Sequence, residues 1–315
     1  MTIYVARRLG QLVLAVVVTS VFVFVLLRLL PGDLASVIAG TEATPEQLAA
    51  IRTELGLDRP LVEQYGEWIG GMLHGNFGES PVNGTTVTGE LGQKLTVSLP
   101  VVLGSTVLSV LVAVPLGIVA GSRHRKPDGV ALSAFSQLGI ALPSFWVGLM
   151  LIVVFVVHWQ VFENAFPRGG WDEPGRAVSA LVLPTITLAL SQGAVLMRFV
   201  RSATLDVLHQ EYIRTARAKG LTRTQALWRH GIRNASLPVV SILGVQIASL
   251  IAGVVVIERV FTLPGVGQML VSDIRTRDLE KVQGTVLLVA VLVLVIGFAV
   301  DIVHRLIDPR LRVVA

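Results

Sequence analysis

Six long apolar runs, separated by segments that hold most of the charged residues, dominate the pattern of this 315-residue chain. The runs cover about residues 9–30, 97–121, 129–157, 177–197, 234–257 and 282–303. Each is long enough for an α-helix to cross roughly 30 Å of hydrocarbon. The third run is longer than one span requires, and Pro143 with Trp146 indicates a kinked or tilted helix. The pattern predicts an all-α integral membrane protein with six transmembrane helices.

The composition agrees with this class and excludes several others. Hydrophobic residues make up 53% of the chain and charged residues 15%, whereas soluble domains carry about 25% charge. With no cysteine, neither a disulfide nor a thiolate metal site is expected. The histidines are scattered among loops and run ends, and no G-x-x-x-x-G-K-[ST] phosphate loop is present. We expect no catalytic, cofactor-binding or metal site in this chain.

The distribution of lysine and arginine predicts the orientation in the membrane. With the N-terminus inside, 16 of the 26 basic residues fall in the segments on that side, including the central segment between the fourth and fifth runs. Both termini and this central segment are therefore expected to be cytoplasmic. Because the basic residues flank the spans and form no aromatic-interleaved patch, nucleic-acid binding is not expected.

The first external segment, residues 31–96, is predicted to be a small helical extracytoplasmic unit. Thr44 and Gln47 make a capping box around Pro45, so a helix should begin there and end at Gly56. A second helix is expected over about 60–73, with an apolar stripe at helical spacing: Leu61, Tyr65, Trp68, Ile69 and Met72. That stripe either packs on the mouth of the spans or is a docking face for another protein.

The central segment, residues 198–236, has more organisation than membrane orientation alone requires. A helix is predicted over about 210–219 with Gly220 ending it, and the pair Thr222 and Gln225 should start a second helix over about 223–233. Two interpretations remain: basic amphipathic helices lying on lipid headgroups, or a surface that docks a partner protein.

The central segment also carries the most specific sequence motif. YIRTARAKG at 212–220, followed by WRHGIRNASLP at 228–238, closely resembles the EAA loop of binding-protein-dependent ABC importer permeases of the dipeptide, oligopeptide and nickel class. Other matching motifs occur in the same order: LPGD at 30–33, LGLDRPL at 55–61, GNFGES at 75–80, PSFW at 143–146, ERVFTLPGVG at 258–267, RD at 277–278 and DPR at 308–310. Arg214 departs from the general pattern, which has glutamate there.

The resemblance implies a type I ABC importer permease fold and a non-catalytic subunit, the first of two homologous permeases. The implied partners are that second permease, two ATPase subunits that bind ATP and magnesium, an extracytoplasmic solute-binding protein and membrane lipid. The implied location is a prokaryotic cytoplasmic membrane. The implied ATPase-docking coupling helix comprises Glu211, Tyr212, Arg214, Thr215, Ala216, Arg217, Ala218 and Gly220.

The translocation path has candidates in the few polar residues inside the apolar runs: Gln137, Ser144, Ser191, Gln192, Gln246 and Ser249. Polar side chains in spans more often join helices than contact substrate.

The expected organisation has four parts. They are residues 1–30 (N-terminus and first span), 31–96, the five-helix core 97–303 and the cytoplasmic tail 304–315. A peptide importer is the favoured function. A permease for nickel or glutathione stays open, as does a self-sufficient ion-coupled carrier, although such a carrier needs ionisable groups near the midplane.

Overall fold

The structure, a computed structural model, describes residues 2–29, 35, 39, 43–54, 56–80 and 82–307. Three predicted features lie outside this range: the motifs at 30–33 and 308–310, and Leu55. The described residues form twelve α-helices and no strand: α1 (Thr2–Leu29), α2 (Pro45–Glu54), α3 (Leu61–Leu73), α4 (Val87–Ser122), α5 (Pro127–Ala141), α6 (Ser144–Leu151), α7 (Pro174–Leu208), α8 (Glu211–Ala218), α9 (Arg223–Ala226), α10 (Ile232–Val260), α11 (Val266–Thr276) and α12 (Leu279–Ile307). Two π-helical turns, Ile152–His158 and Leu227–Gly231, extend α6 and join α9 to α10, and a short 3-10 turn covers Gly170–Asp172.

Five helical segments in the described part of the chain are long and apolar enough to cross a membrane: α1, α4, α7, α9 with α10, and α12. The pair α5 and α6, with its π turn, makes a sixth if the two legs count as one broken span. The all-α membrane class and the number of predicted spans are thereby confirmed.

The third run differs from its prediction as a single kinked helix. It consists of two helices whose axes are bent by 99°. Leu142, at the break, is extended with ψ 128°, and Pro143 follows with φ −60° and ψ 134°. A proline disfavours helical backbone in the residue before it and donates no backbone hydrogen bond, so the helix ends at Ala141 instead of bending.

The structured helices extend beyond the uncharged runs. α4 begins at Val87 and α7 continues to Leu208, each about ten residues outside the predicted span. The segment 198–208, predicted as part of the central loop, is therefore the last three turns of α7. Charged residues enter these helices because helical hydrogen bonding continues where the chain leaves the apolar layer.

The chain divides into two compact units. The first contains Met1–Ala6, Leu99–Leu263 and Ile296–Ala315, and in it α7 packs against α5, α6 and α10. Its core is a cluster that includes Leu196, Met197 and Val200 of α7. Small residues also let α4 approach α7: a Cβ on Gly117 or Gly121 of α4 would lie within 2.8 Å of side-chain atoms of α7. Such a G-x-x-x-G pair lets membrane helices approach closely.

The second unit contains Arg7–Ser98 and Pro264–Val295. The capping box predicted at Thr44 is present, since Thr44 N donates to Gln47 Oε1 (3.0 Å) and Gln47 N to Thr44 Oγ1 (3.3 Å). Tyr65 and Trp68 of α3 pack on Phe24 of α1, with ring centroids 5.5 and 5.8 Å from it. The aromatic part of the apolar stripe on α3 therefore packs within the chain.

Candidate functional site

The predicted coupling helix is α8, which follows α7 after a two-residue turn. Its first residue follows Gln210 in extended conformation, and it ends at Ala218, one residue short of the prediction. Gly220 has φ +95°, a left-handed conformation that glycine adopts without steric cost. Its backbone N–H donates to Arg217 O (2.9 Å) and that of Leu221 to Ala216 O (3.3 Å), which closes the helix end. The predicted helix end at Gly220 is confirmed.

The two faces of α8 have different surroundings. Ile213 and Ala216 are buried, at 1% and 7% exposure, in the core cluster that also contains Ala226 and Leu227. The remaining predicted docking residues are exposed: Glu211, Tyr212, Arg214, Thr215, Arg217, Ala218 and Gly220. Ala216 therefore packs α8 onto the core cluster, and of the eight predicted docking residues the seven exposed ones are accessible to a partner.

The second predicted helix is not a separate element that ends near residue 233. Thr222 makes both bonds of the predicted capping box with Gln225. From there α9, the π turn Leu227–Gly231 and α10 form one helical path. The sequence obscured this continuity because the charged residues of the π turn resemble a loop, whereas its Leu227 and Gly231 are buried.

Two contacts hold α8 on this continuous path. Asn234 Nδ2 of α10 donates to the hydroxyl oxygen of Tyr212 at 3.0 Å. Gly231, in the π turn, faces both helices: a Cβ there would lie 3.6 Å from Ile213 Cδ1 of α8 and 2.7 Å from Val207 Cγ1 of α7. These contacts pack α8 against α7 and against the α9–α10 path.

The translocation candidates fall into two groups. Gln192 of α7 and Gln246 of α10 are brought together: Gln192 Nε2 donates to Gln246 O (3.4 Å), and Gln246 Nε2 donates to Gln192 O (3.0 Å). This reciprocal pair joins two spans. Ser191 bonds within its own helix to Thr187 O (3.2 Å).

The other candidates are separate from that pair. Gln137 on α5 and Ser249 on α10 are exposed on this chain, and Ser144 is half-buried at the start of α6. Gln137 and Ser249 each bond to a carbonyl one turn earlier, Ser133 O and Val245 O. Among the described residues, no hydrogen bond joins Gln137, Ser144 or Ser249 to the glutamine pair.

A buried polar cluster in the second unit was missed by the sequence reasoning. Lys281 has only 3% of its side chain exposed, and its Nζ contacts Glu90 Oε2 at 2.5 Å. Ser80 Oγ donates to Asp278 Oδ2 at 2.5 Å, which joins the GNFGES and RD motifs. The only sequence signal was that both motifs belong to the set that resembles the permease family. Their contact could not be predicted, because Ser80 and Asp278 are 198 residues apart in the sequence.

Asp273 on α11 belongs to the same cluster. It is 6% exposed, and its Oδ2 is buried with no hydrogen-bond partner among the described residues. Burial raises the pKa of Asp273 from 3.8 to about 6, and the Asp278 and Glu90 carboxylates act in the same direction, whereas the Lys281 ammonium opposes them.

Helices long and apolar enough to cross a membrane, together with an exposed helix packed on two of them, define a multi-pass all-α membrane protein. The family described as binding-protein-dependent transport system inner membrane component matches residues 113–313. The corresponding N-terminal family matches residues 1–99. The chain belongs to this family.

Relatives match this chain over nearly its whole length. A probable peptide ABC transporter permease protein y4tP of Sinorhizobium fredii (strain NBRC 101917 / NGR234) is 37% identical, covering 99% of this chain and 100% of the relative. A putative peptide transport system permease protein of Brucella abortus (strain 2308) is 36% identical over 99% of each chain. The dipeptide transport system permease protein DppB of Escherichia coli (strain K12) is 33% identical over 98% of each.

Proposed function

We propose that this chain is the non-catalytic permease subunit of an ATP-driven ABC importer that moves di- or oligopeptides across a cytoplasmic membrane. The observation that carries this proposal is the end-to-end similarity to relatives named as peptide permeases. Neither nickel nor glutathione occurs in those names, so peptides are the favoured substrate class. The apolar runs 97–121, 129–157, 177–197 and 234–257 contain no Asp, Glu, Lys or Arg, which disfavours the self-sufficient carrier.

The proposed partners are a second, homologous permease, two ATPase subunits and an extracytoplasmic solute-binding protein. ATP and magnesium bind to the ATPases, and lipid surrounds the spans. The substrate path lies between the two permeases, where the exposed candidates Gln137 and Ser249 are better placed than the paired Gln192 and Gln246.

The proposed orientation puts the N-terminus, α8 and the C-terminal tail in the cytoplasm. The broken α5–α6 pair matters here, because counting it as one span keeps α8 on the side of the N-terminus. Counting it as a re-entrant loop would place the basic central segment outside, against the positive-inside rule.

In the proposed mechanism, α8 transmits the motion of the ATPases to the spans. Its exposed face, with Arg214 and Arg217, sits in a groove of one ATPase, and ATP-driven closure of the ATPases displaces it. Its buried face, with Ile213 and Ala216, transmits the displacement to α7 and to the continuous α9–α10 path. The spans then exchange inward- and outward-facing states as rigid bodies, driven by a ligand that this chain never binds.

Charge reversal on the exposed face of α8 tests the proposal. Arg217→Glu should abolish dipeptide uptake in cells that lack other peptide importers, and should prevent co-purification of the ATPases. The side chain is exposed, so the variant should still insert at the native level in the membrane fraction.

The matched control is Arg275→Glu, an equal reversal on an exposed residue of α11, which the proposed topology places outside. It should keep the ATPases bound. Normal uptake by a well-expressed Arg217→Glu variant would refute the assignment of α8 as the docking element. Loss of ATPases in both variants would show that charge alone, at any site, disturbs assembly.

A further inference from the structure

The second unit contains a cavity of about 330 Å³ that the transport mechanism does not use. It lies within this unit alone, among the end of α1, the 56–59 turn, α3, residues 76–78 and the start of α12. A volume near 300 Å³ is at the lower end of those that hold small molecules. The cavity therefore suits a ligand of roughly amino-acid to short-peptide size.

Two opposite charges, Arg28 and Glu280, border the cavity. In the described part of the chain, neither the Arg28 guanidinium nor the Glu280 carboxylate has a hydrogen bond or an ion pair, although the two are near enough to interact electrostatically. Arg28 is exposed and Glu280 is half-buried, so a ligand in the cavity can reach both charges from solvent. An ammonium beside Glu280 and a carboxylate beside Arg28 would satisfy both.

Aromatic rings hold the cationic side. Arg28 Cζ lies 5.2 Å from the ring centroid of Phe24, which is 3% exposed. Trp68 packs on the same ring with a centroid distance of 5.8 Å. The guanidinium is thus positioned on a rigid apolar support, with its donors left for a ligand.

The opposite wall is fixed by hydrogen bonds. Gln64, 7% exposed, donates through Nε2 to Leu57 O (3.2 Å) and Arg59 O (2.7 Å). Arg59 is ion-paired with Glu67, so these two lining charges are already neutralised by each other. Among the described lining residues, Arg28 and Glu280 are the charged groups for which no ion pair is seen.

We propose that this cavity binds a small zwitterion, a free amino acid or a short peptide, with its carboxylate on Arg28 and its ammonium on Glu280. The proposal stands on the cavity and its charges and does not depend on the transport function. A free amino acid and a short peptide share this chemistry, and the experiment separates them.

The test is equilibrium binding to the full-length chain, purified with its accompanying subunits in lipid nanodiscs without ATP or solute-binding protein. The probes are radiolabelled phenylalanine, the dipeptide Ala-Phe, and the same dipeptide with an acetylated N-terminus or an amidated C-terminus. Each blocked dipeptide should bind at least about tenfold more weakly than Ala-Phe, the effect of losing one charge-assisted contact. Tighter binding of phenylalanine than of Ala-Phe would identify a free amino acid as the ligand.

Variants assign each charge to its end of the ligand. Arg28→Gln should weaken the binding of Ala-Phe about tenfold but leave the binding of the amidated dipeptide unchanged. Glu280→Gln should likewise weaken the binding of Ala-Phe about tenfold, but leave the binding of the acetylated dipeptide unchanged. Glu67→Gln is the matched control, because Glu67 lines the cavity but is paired with Arg59; its effect should be less than about twofold.

Equal binding of blocked and free dipeptides overturns the proposal, and so does the absence of saturable binding to the native complex, the outcome expected if a segment of a partner protein occupies the cavity. The blocked ligands test the native chain, so a misfolded variant cannot decide the result. Failure here leaves the uptake and co-purification results for α8 unaffected, because neither measures this cavity.

Discussion

Replacing Asp273 by asparagine should stabilise the protein above pH 6 and have little effect at low pH. The side chain is buried with an unpartnered oxygen, and its pKa is about 6 against an ordinary 3.8. The folded state therefore binds the proton more tightly than the unfolded state does. The contribution of Asp273 to stability is therefore greatest below pH 3.8, falls as the pH rises from 3.8 to 6, and stays low above that range.

The expected size follows from the shift of the pKa of Asp273. A difference of about 2 pKa units, at about 1.4 kcal/mol each, is worth about 3 kcal/mol of unfolding free energy. Asparagine keeps the shape and removes the charge, so Asp273→Asn should recover up to about this amount at pH 8 and almost none at pH 4. For a chain of this size the gain corresponds to an apparent Tm higher by several degrees.

The assay is thermal unfolding of the purified chain in nanodiscs, followed by tryptophan fluorescence between pH 4 and pH 8. The native protein should lose stability across this range, while Asp273→Asn should show a flatter profile. Asp172→Asn, at an exposed position, is the control and should follow the native profile. Two results would refute a raised pKa of the buried Asp273 carboxyl. One is a Tm of Asp273→Asn below that of the native protein at pH 8; the other is the same change in Tm at pH 4 and at pH 8.

Three further predictions concern stability, coupling and topology. Lys281→Met leaves the half-buried carboxylate of Glu90 without its partner and should lower the unfolding free energy by less than the about 3–5 kcal/mol typical of a fully buried pair; an unchanged Tm would argue against a stabilising ion pair. Gly231→Ala places a methyl group 2.7 Å from Val207 Cγ1, so we expect a loss of about 1–3 kcal/mol and faster trypsin cleavage in 209–223, and native cleavage rates would contradict this packing. Single cysteines at Arg52 and Arg223 of this cysteine-free chain should react with an impermeant maleimide from opposite sides, and same-side labelling would overturn the topology.

Features encoded by short-range chemistry were predictable from the sequence. Both capping boxes, at Thr44 and at Thr222, have the hydrogen bonds that the residue spacing indicates. Gly220, just after α8, has the left-handed conformation that glycine adopts without steric cost, so this helix end depends on local backbone sterics alone. Apolar run length was sufficient to find the membrane helices, because the thickness of the hydrocarbon layer sets that length.

Features that depend on distant contacts were not predictable. The resemblance implied a docking role for Ala216, whereas its burial depends on Ala226 and Leu227 and on the end of α7. The early start of α4 places Glu90 beside Lys281, a residue 191 positions away. Proline at 143 indicated a kink, yet the size of the bend is a property of both legs and their surroundings. The helix α11 was missed because it is short and amphipathic and lies between two apolar runs.

The central claim, that this chain works as one permease in an ATP-driven assembly, is tested most directly by its native composition. The chain would carry an affinity tag and be purified in a mild detergent from its own membrane, and the subunits would be identified and counted by mass spectrometry. The account predicts a second six-span subunit and two ATPase subunits for each copy of this chain. A chain recovered alone, under conditions that preserve other membrane complexes, would contradict the account and favour a self-sufficient carrier.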